Sequence, residues 1–464
     1  MGTVGLSFGS PTSGQGINVA STVSQITANL QSVETPWKTQ LTQLQSQDTV
    51  YSTLGGDLLN LTTSLQSLTD FQGVLAAKQG SSSNTNVLQL LAAGTTATAG
   101  SHSITVNTLA QTASYYSEDF ANPSDLINGS LTLTVNGGTP VVVNTDPGGD
   151  TITQFAANIN NANAGVTANI ITDSGGQRLS IVSNNSGSVG NFTIGTTLTD
   201  ATTPSNTIAF TQAQSGTNAT FTVDGISETS SSNTVSNAIP GVSFQLLSAA
   251  PASPVQVEIT NDNTAVESAV NSFVTAYNQT VTDMNAQEGN TSAGTAQPLY
   301  GSPTLALLQT QLGSALTYQQ TTGSGSINSV TQLGITVNND GTLALNTSAL
   351  DSMLNSNYQD VVNYLQPSTS FTSFGSNFTQ VLNNLGNSAP NGAVYLAEQS
   401  NQATEATLNT NITNQNTLIT QETQTLTTQL NEANFTLSQI PQQLSYVNEL
   451  YSSFTGYNIN PNFG

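Results

Sequence analysis

The sequence predicts an α+β multidomain protein with a terminal α-helical coiled-coil stalk, a helical middle domain and β-rich head domains. Three observations support this fold class. Apolar residues recur every seven positions at both ends of the chain, apolar and polar residues alternate through much of the middle, and helical spacing returns before the C-terminal repeat. With 464 residues, the chain is long enough for roughly three domains.

The N-terminal repeat contains two apolar rows that lie three and four residues apart. The first row is Val23, Leu30, Trp37, Leu44, Tyr51, Leu58 and Leu65, and the second is Val19, Ile26, Val33, Leu54, Leu61 and Leu68. A stripe of two positions in seven cannot bury itself, so we expect a partner helix to cover it. Asn18 is a suitable N-cap, whereas Thr35 and Pro36 predict a bend or a restart of the helix.

The C-terminal repeat is the candidate partner. Its rows are Ile412, Ile419, Leu426, Ala433, Ile440, Val447 and Phe454, with Leu430, Leu437, Leu444 and Tyr451 beside them. We therefore expect the two ends of the chain to meet in a stalk and the middle to form a head. The predicted self-assembly seam comprises Val23, Leu30, Trp37, Leu44, Tyr51, Ile412, Ile419, Leu426, Leu430, Leu437, Ile440, Leu444 and Val447. A buried helical hairpin inside one globular protein is the alternative interpretation.

The middle of the chain alternates in a way that predicts strands from about residue 80 to 262. Leu131 to Val135, the turn pair Asn136 and Gly137, and Val141 to Val143 predict a hairpin. A short helix is expected from Ile152 to Ile159. Further strand candidates are Val166 to Ile171, Leu179 to Val182, Phe192 to Ile194, Ala219 to Val223, Val242 to Leu247 and Val255 to Ile259.

Helical spacing returns after the strands. It predicts helices from Thr264 to Val281, after Pro303, and from Leu350 to Leu365. Between the last two, Ile335 to Val337 and Leu343 to Leu345 flank an Asn-Asp-Gly turn and predict a hairpin. We expect this block to pack on the end of the N-terminal helix before a C-terminal helix begins near Gly392.

The composition excludes two classes of partner. Three basic residues stand against 26 acidic ones, for a formal charge of -23, so nucleic acid and anionic lipid have no basic patch to bind. Charged residues make up 6% of the chain, and Thr, Asn, Ser and Gln take their place. Partner choice in the stalk is therefore not expected to depend on salt bridges. With so few basic groups, acid expansion would be small, and we hypothesise an acidic exterior environment.

Candidate chemical groups are few, and we predict a protein that is not an enzyme. Without cysteine, a nucleophilic site would depend on His102, which lies in a strand pattern and is interpreted as structural. One histidine and no cysteine cannot assemble a zinc site, and no cofactor is expected. Asp146 to Asp150 lacks the spacing of a calcium loop and is interpreted as a turn. Glu118 and Asp119 point to opposite faces of a strand, which argues against paired acid and base roles.

Several motifs together resemble the flagellar hook-associated protein 2 family, which forms the cap of the flagellar filament. They occur in family order along nearly the whole chain: Ile17 to Gln25 before the heptads, Gly100 to Gln111, Ile159 to Asn163 with Gly165 to Ala168, Phe221 to Ile226, Asn233 with Ile239 to Gly241, Phe273 to Asn278, and Leu333 to Ile335 with Asp340 to Leu343. Two departures are His102, where the family usually has an aromatic residue, and the scarcity of charge in the terminal coils.

The resemblance implies a non-enzymatic structural cap at the distal tip of the filament, which promotes flagellin incorporation and filament elongation. The implied partners are further copies of the chain in a homo-oligomeric ring, a pentamer, together with flagellin, hook-filament junction proteins and a cytoplasmic export chaperone. No nucleic acid and no membrane insertion are expected. Residues 1–16 lack the basic and apolar regions of a signal peptide, so we expect export to the extracellular filament tip without a cleaved signal.

We divide the chain on this basis. The expected parts are a flexible segment 1–16, a coiled-coil leg 17–49 paired with the leg 396–464, a helical domain from 50–79 and 263–395, a β-rich head domain from 80–114 and 206–262, and a second β-rich head domain, 115–205, inserted into it. The alternative functions are a surface adhesin that binds a host or environmental ligand through the head, and a hydrolase whose activity would be lost on substitution of His102.

Overall fold

The computed structural model describes residues 17–201, 206–321, 323, 325–386 and 390–456. The chain forms two compact units. A helical unit takes its described residues from Met1–Thr69 and Val270–Gly464, and a strand-rich unit comprises Asp70–Ala269. The segment 1–16, predicted to be flexible, and the end of the predicted C-terminal leg, residues 457–464, lie outside the described residues.

The helices are numbered in chain order. They are α1 (Val19–Gln31), α2 (Glu34–Thr69), α3 (Ile152–Asn161), α4 (Asn263–Asn285), α5 (Pro303–Leu316), α6 (Thr347–Ser356), α7 (Tyr358–Leu365), α8 (Phe374–Leu385) and α9 (Ala393–Thr455).

The strands are numbered in the same way. They are β1 (Lys78–Ser82), β2 (Leu88–Ala93), β3 (Gly100–Thr108), β4 (Thr112–Ser117), β5 (Leu126–Asn128), β6 (Ser130–Val135), β7 (Val141–Asn144), β8 (Asp150–Thr151), β9 (Val166–Asp173), β10 (Gly176–Ser186), β11 (Phe192–Thr196), β12 (Thr199–Asp200), β13 (Phe210–Gln214), β14 (Ala219–Val223), β15 (Ile226–Ser230), β16 (Thr234–Ile239), β17 (Val242–Leu246), β18 (Val255–Asn261), β19 (Ile335–Val337) and β20 (Leu343–Leu345).

The core of the helical unit combines a leucine row of α2 with aromatic rings from α4, α7 and α8. Phe273 and Phe378 meet edge to face with ring centroids 5.4 Å apart, and Tyr364 stacks on Phe374 at 5.2 Å. Edge-to-face and stacked rings are the favoured aromatic geometries. The leucines are almost completely shielded from solvent, and they are Leu54, Leu58, Leu61, Leu65 and Leu68.

One prediction for the helical unit is wrong, and one helix was missed. The helix from Leu350 to Leu365 is wrong as a single element, because Asn357 adopts non-helical φ and ψ of -136° and 40° and separates α6 from α7. Helix α8 was not predicted. The hairpin of β19 and β20 is present, with Ile335 opposite Leu345.

The strand-rich unit contains two hydrophobic clusters. One is formed by the sheet β1-β18-β3-β14-β15 together with the sheet β16-β17-β2, and Phe221 and Phe244 meet edge to face within it at 5.9 Å. The other combines the sheets β13-β4-β10-β9, β11-β6-β7 and β12-β5-β8 with α3, where Tyr115 contacts Phe192 at 4.8 Å. Alternating residues of strands such as β14, where Ala219, Phe221 and Val223 are buried, supply these clusters, as the sequence pattern predicts.

The tight turns of the strand-rich unit have the backbone geometry that their residues favour. Asn136 and Gly137 have φ values of 50° and 66° between the antiparallel strands β6 and β7. Asp224 and Gly225, at 52° and 83°, form a two-residue hairpin turn, because Val223 and Ile226 are paired directly across it. The loop through Asn136 is longer, since the last pair of β6 and β7 is Leu133 with Val141. Asn, Asp and Gly tolerate positive φ, and two such residues match the twist of a two-residue hairpin.

None of the helices formed by the described residues has the length and apolar character that a membrane span requires.

Candidate functional site: the paired terminal helices

Helix α1 begins where the chain contacts α9. The side chain of Asn18 accepts a hydrogen bond from the backbone N–H of Ser21 and caps the helix. One residue earlier, the backbone N–H of Ile17 donates to Oδ1 of Asn434 at 2.8 Å. The start of α1 is therefore fixed to a defined turn of α9.

The break between α1 and α2 lies at Ser32 and Val33, three residues before the proline that the sequence pattern implicates. Helix α2 begins at Glu34, so Pro36 lies in its first turn, where a missing N–H leaves no helical bond unmade. Glu34 is buried and pairs with Lys38 one turn later at 2.6 Å. The helix therefore restarts, as predicted, but the break lies before Thr35 and Pro36 and not at them.

Two amide side chains of α9 continue the contact along α1 and α2. Nε2 of Gln415 donates to the backbone carbonyl of Leu30 at 3.1 Å, and Nδ2 of Asn401 donates to Oδ1 of Asp48 at 2.7 Å. As the chain advances from Ile17 through Leu30 to Asp48, the bonded residue of α9 moves back from Asn434 through Gln415 to Asn401. Helices α1 and α2 are therefore antiparallel to α9.

Polar contacts between the paired helices use amides and not ion pairs. Among the described residues, the salt bridge of these helices is the one between Lys38 and Glu34, which lies within α2. Thr side chains of α9 turn their hydroxyls back onto their own helix; Thr423, for example, donates to the carbonyl of Ile419. A hydroxyl bonded to its own backbone is satisfied without a partner helix. The threonine hydroxyls of α9 that are bonded in this way therefore do not require a particular neighbour.

The burial of the predicted seam varies along its length. Val23, Tyr51 and Ile419 are buried, whereas Leu444 and Val447 are 47% and 63% exposed. The remaining seam residues are half-buried, and they are Leu30, Trp37, Leu44, Ile412, Leu426, Leu430, Leu437 and Ile440. The structure thus brings the two repeats together through Asn434 and leaves the last turns of α9 open.

We call residues 435–455 the α9 end. It continues the helix beyond the turn that contacts Ile17, and α9 runs through Pro441 without ending. Leu437 and Ile440 of this segment are half-buried, and seven other large side chains are exposed: Phe435, Leu444, Tyr446, Val447, Leu450, Tyr451 and Phe454. Leu444, Val447, Tyr451 and Phe454 follow spacings of three and four residues, so they lie along one side of the helix.

The hydrogen bonds of Asn401, Asn434 and Asp48 were not predicted. All three residues are polar and lie beside the apolar rows, in a chain where Asn, Gln, Ser and Thr are abundant. No sequence signal separates these residues from their solvent-facing neighbours.

The groups considered for chemistry lie in the strand-rich unit and contact neighbouring residues there. Nδ1 of His102 lies 2.7 Å from Oδ2 of Asp224, and this hydrogen bond, with one from the N–H of Ser103, holds the pKa of Asp224 below its usual range. Asp119 pairs with Arg178 at 2.6 Å. The stretch Asp146 to Asp150 forms a turn, in which the N–H of Gly149 donates to the carbonyl of Asp146. Within the described ranges, no three His, Cys, Asp or Glu side chains are placed to hold a metal ion.

Comparisons with known proteins agree in pointing to one family. Residues 216–442 match the family profile of the flagellar hook-associated protein 2 C-terminus, and residues 15–113 match the profile of its N-terminus. The chain is 26% identical over 323 residues to the B-type flagellar hook-associated protein 2 of Pseudomonas aeruginosa, an alignment that covers 64% of this chain and 67% of that protein.

A second relative matches over a shorter range, and a solved structure shares the fold. The polar flagellar hook-associated protein 2 of Vibrio parahaemolyticus is 28% identical over 170 residues, which span 35% of this chain and a quarter of that protein's length. A crystal structure of three domains of the flagellar cap protein FliD from Escherichia coli superposes with a TM-score of 0.57 and 24% identity. It covers 76% of this chain and 99% of that one.

Proposed function

From the premise that this chain belongs to the flagellar hook-associated protein 2 family, we propose that it is the structural cap at the distal tip of the bacterial flagellar filament. In this proposal several copies assemble into a ring, a pentamer, above the growing filament. The ring promotes the incorporation of flagellin, and the paired terminal helices reach down to the subunits below.

The single observation that carries the proposal is the exposed apolar side of the α9 end. Val447, Leu450 and Phe454 are 63%, 62% and 84% exposed on consecutive turns of one helix. Burying apolar surface contributes about 25 cal/mol for each Å² removed from water. Side chains of this size left open on a regular helix therefore favour association with another helix. We propose flagellin and neighbouring copies of the chain as the helices that cover them.

The paired part of the stalk has properties suited to repeated rearrangement. Its cross-helix polar contacts are amide hydrogen bonds, and most of its seam is only half-buried. A hydrogen bond between neutral groups, such as that from Gln415 to Leu30, contributes about 1 kcal/mol net, and one to a carboxylate, such as that from Asn401 to Asp48, about 1.5–3 kcal/mol. Contacts of this size do not hold the helices together firmly. We propose that the pairing loosens and reforms as each flagellin subunit is added.

We propose a separate role for each part of the chain. The legs 17–49 and 396–464 would carry the assembly seam, and the head from residue 80 to 262 would form the plate above the filament. We propose export to the extracellular filament tip without a cleaved signal peptide, with a cytoplasmic chaperone before export and hook-filament junction proteins as the first contacts. A surface adhesin role for the head stays a prediction.

The decisive experiment disables the α9 end while keeping the helix. The double variant Val447→Ser with Leu450→Ser is introduced into cells that lack their own copy of this gene. We expect the cells to form few or short filaments and to release unpolymerised flagellin, measured by electron microscopy and by immunoblot of the medium. Both side chains are exposed in the free chain, so the helical content by circular dichroism should not change.

The matched control replaces exposed polar residues on the preceding turns, Gln442→Ser with Gln443→Ser. This variant should restore filaments to the wild-type length, because it removes no apolar surface. Native mass spectrometry of each purified chain measures ring formation separately. Filaments of normal length from the Val447 and Leu450 variant would disprove the proposed role of the α9 end.

A further inference from the structure

Asp57 is a buried carboxyl in the apolar part of α2. Its side chain is 9% exposed, and the neighbouring Leu54, Leu58 and Leu61 are almost completely buried. Oδ2 of Asp57 is shielded from solvent and, within the described residues, receives no hydrogen bond from a donor group. A carboxylate in such a place is unfavourable unless its charge is removed or compensated.

The group opposite Asp57 is a second carboxyl. Asp57 lines the same groove as Gln279 of α4, and Nε2 of Gln279 donates to Oδ2 of Asp283, one turn later on α4, at 2.8 Å. This places Asp283 beside Asp57 as its side-chain partner. Ionised carboxylates only accept hydrogen bonds. The contact between Asp57 and Asp283 is therefore attractive only when one of the two carries a proton.

Among the described residues, no basic side chain lies near enough to compensate the charge of a second ionised carboxylate. The side chains beside Asp57 line a groove of about 660 Å³ between α2 and α4 with neutral amides and hydroxyls, among them Asn60, Thr63, Asn271 and Thr275. In the described part of the helical unit, the basic side chain is Lys38, nineteen positions earlier on α2 and paired with Glu34. At a rise of 1.5 Å per residue that is roughly 28 Å away.

A metal cation fits the pair less well than a proton does. The Gln279 amide directs its N–H group at Oδ2 of Asp283, an arrangement that a bound cation would repel. Calcium also prefers six to eight oxygen ligands, of which this pair supplies at most a few. The two carboxyls with a donor beside them are instead typical of a shared proton.

This geometry changes the pH range in which Asp57 loses its proton. Burial first, and then the hydrogen bond and charge of Asp283, raise the pKa of Asp57 from 3.8 to about 6. The folded chain then holds a proton that the unfolded chain has already released, so the free energy of unfolding falls as the pH rises between these two values. Stability from this pair is fully present below about pH 4 and is lost by about pH 6 to 7.

A second pair of carboxyls, one on α2 and one on α9, also includes a group whose pKa is raised. Burial, and then the charge of Asp48, raise the pKa of Glu398 on α9. Asp48 is the residue that accepts the hydrogen bond from Asn401, so this pair lies at the contact between α2 and α9. Helix α2 thus faces an acidic side chain on α4 and another on α9.

We propose that Asp57 and Asp283 form a proton-binding switch, which clamps α2 to α4 when one carboxyl is protonated and loosens them when both are charged. The occupant of the site is a proton from solvent. The inference does not depend on the proposed cap function, because it concerns the stability of the helical unit in a single chain.

The test follows thermal unfolding of the full chain at pH 5 and pH 7.5. Trp37, the single tryptophan, lies on α2, so its fluorescence reports on this helix directly. For the wild-type chain we expect a midpoint about 3–6 °C higher at pH 5 than at pH 7.5. Asp57→Asn should raise the midpoint at pH 7.5 toward the acid value and flatten the pH profile, because an amide donates to Asp283 at every pH.

The control is Glu422→Gln, which removes an exposed carboxyl of α9 and should keep the wild-type profile. Asp283→Asn should flatten the profile as Asp57→Asn does, which provides a second variant if one of them folds poorly. A wild-type midpoint that does not change between the two pH values would overturn the proposal. So would calcium chloride at pH 7.5 that stabilises the wild type and not Asp57→Asn, because the pair would then bind a cation.

Discussion

The two halves of α2 carry the same sevenfold repeat and differ in how deeply they are buried. In the C-terminal half, the repeat residues are 0–2% exposed, and they are Leu54, Leu58, Leu61, Leu65 and Leu68. In the N-terminal half, Trp37 and Leu44 are only half-buried. The C-terminal half packs against α8 and lies beside α4, whereas the N-terminal half is paired with α9.

The difference shows that a heptad row indicates which side of a helix is covered and not how completely. Coverage depends on how many elements surround the row, and that number is set by distant parts of the chain. A half-covered row retains apolar surface that another helix can bury. The contrast within α2 therefore separates a region that stabilises the single chain from one suited to assembly.

The largest expected effect comes from the C-terminal half of α2. Leu61→Ala should lower the free energy of unfolding by about 3–4 kcal/mol, because Leu61 is completely buried and its removal leaves a cavity. Urea denaturation of the full chain, followed by Trp37 fluorescence, measures the change. Leu59→Ala is the matched control, since Leu59 is 65% exposed on the same helix and its loss should change stability by at most about 0.5 kcal/mol. Equal effects of the two variants would contradict the burial assigned to this half.

A smaller effect is expected in the N-terminal half. Leu44→Ala should lower the free energy of unfolding by about 1 kcal/mol, because folding removes only part of this half-buried side chain from water. The same denaturation experiment applies, with Gln45→Ala as the control at the adjacent exposed position. A loss as large as that of Leu61→Ala would mean that the two halves of α2 are equally buried.

The elements that the sequence predicted well are those whose residues determine them locally. Asn136 with Gly137 specifies a turn, Asn18 caps α1, and Ala219 to Val223 alternates as a half-buried strand; the structure places each where the sequence pattern predicts. Other features depend on residues far apart in the chain. Helix α8 was missed. The predicted helix from Leu350 to Leu365 is divided at Asn357, where the backbone is not helical although the apolar spacing continues.

The candidate site was predictable in outline and not in its contacts. The apolar rows include residues that are buried or half-buried on α1, α2 and α9, since periodicity reports on a side of a helix, and they also include Leu444 and Val447, which are exposed. The register of the pairing depends on two hydrogen bonds between residues more than 350 positions apart: Asn434 accepts one from the N–H of Ile17, and Asn401 donates the other to Asp48. Asp57 was also missed, because a carboxyl next to a leucine row gives no sign of whether its partner is a base or another acid.

The smallest expected effect tests one of these register contacts. Asn434→Ala removes the acceptor for the N–H of Ile17 and should lower the free energy of unfolding by about 0.5–1 kcal/mol. The loss should be local, because the bond holds the first turn of α1 and leaves the rest of the paired region intact. Hydrogen exchange measured by mass spectrometry should show faster exchange at the start of α1 and unchanged exchange near Leu61. Asn431→Ala, an exposed position one turn earlier on α9, is the control and should leave both regions unchanged. Faster exchange along all of α1 and α2 would instead mean that this single hydrogen bond sets the pairing of the whole stalk.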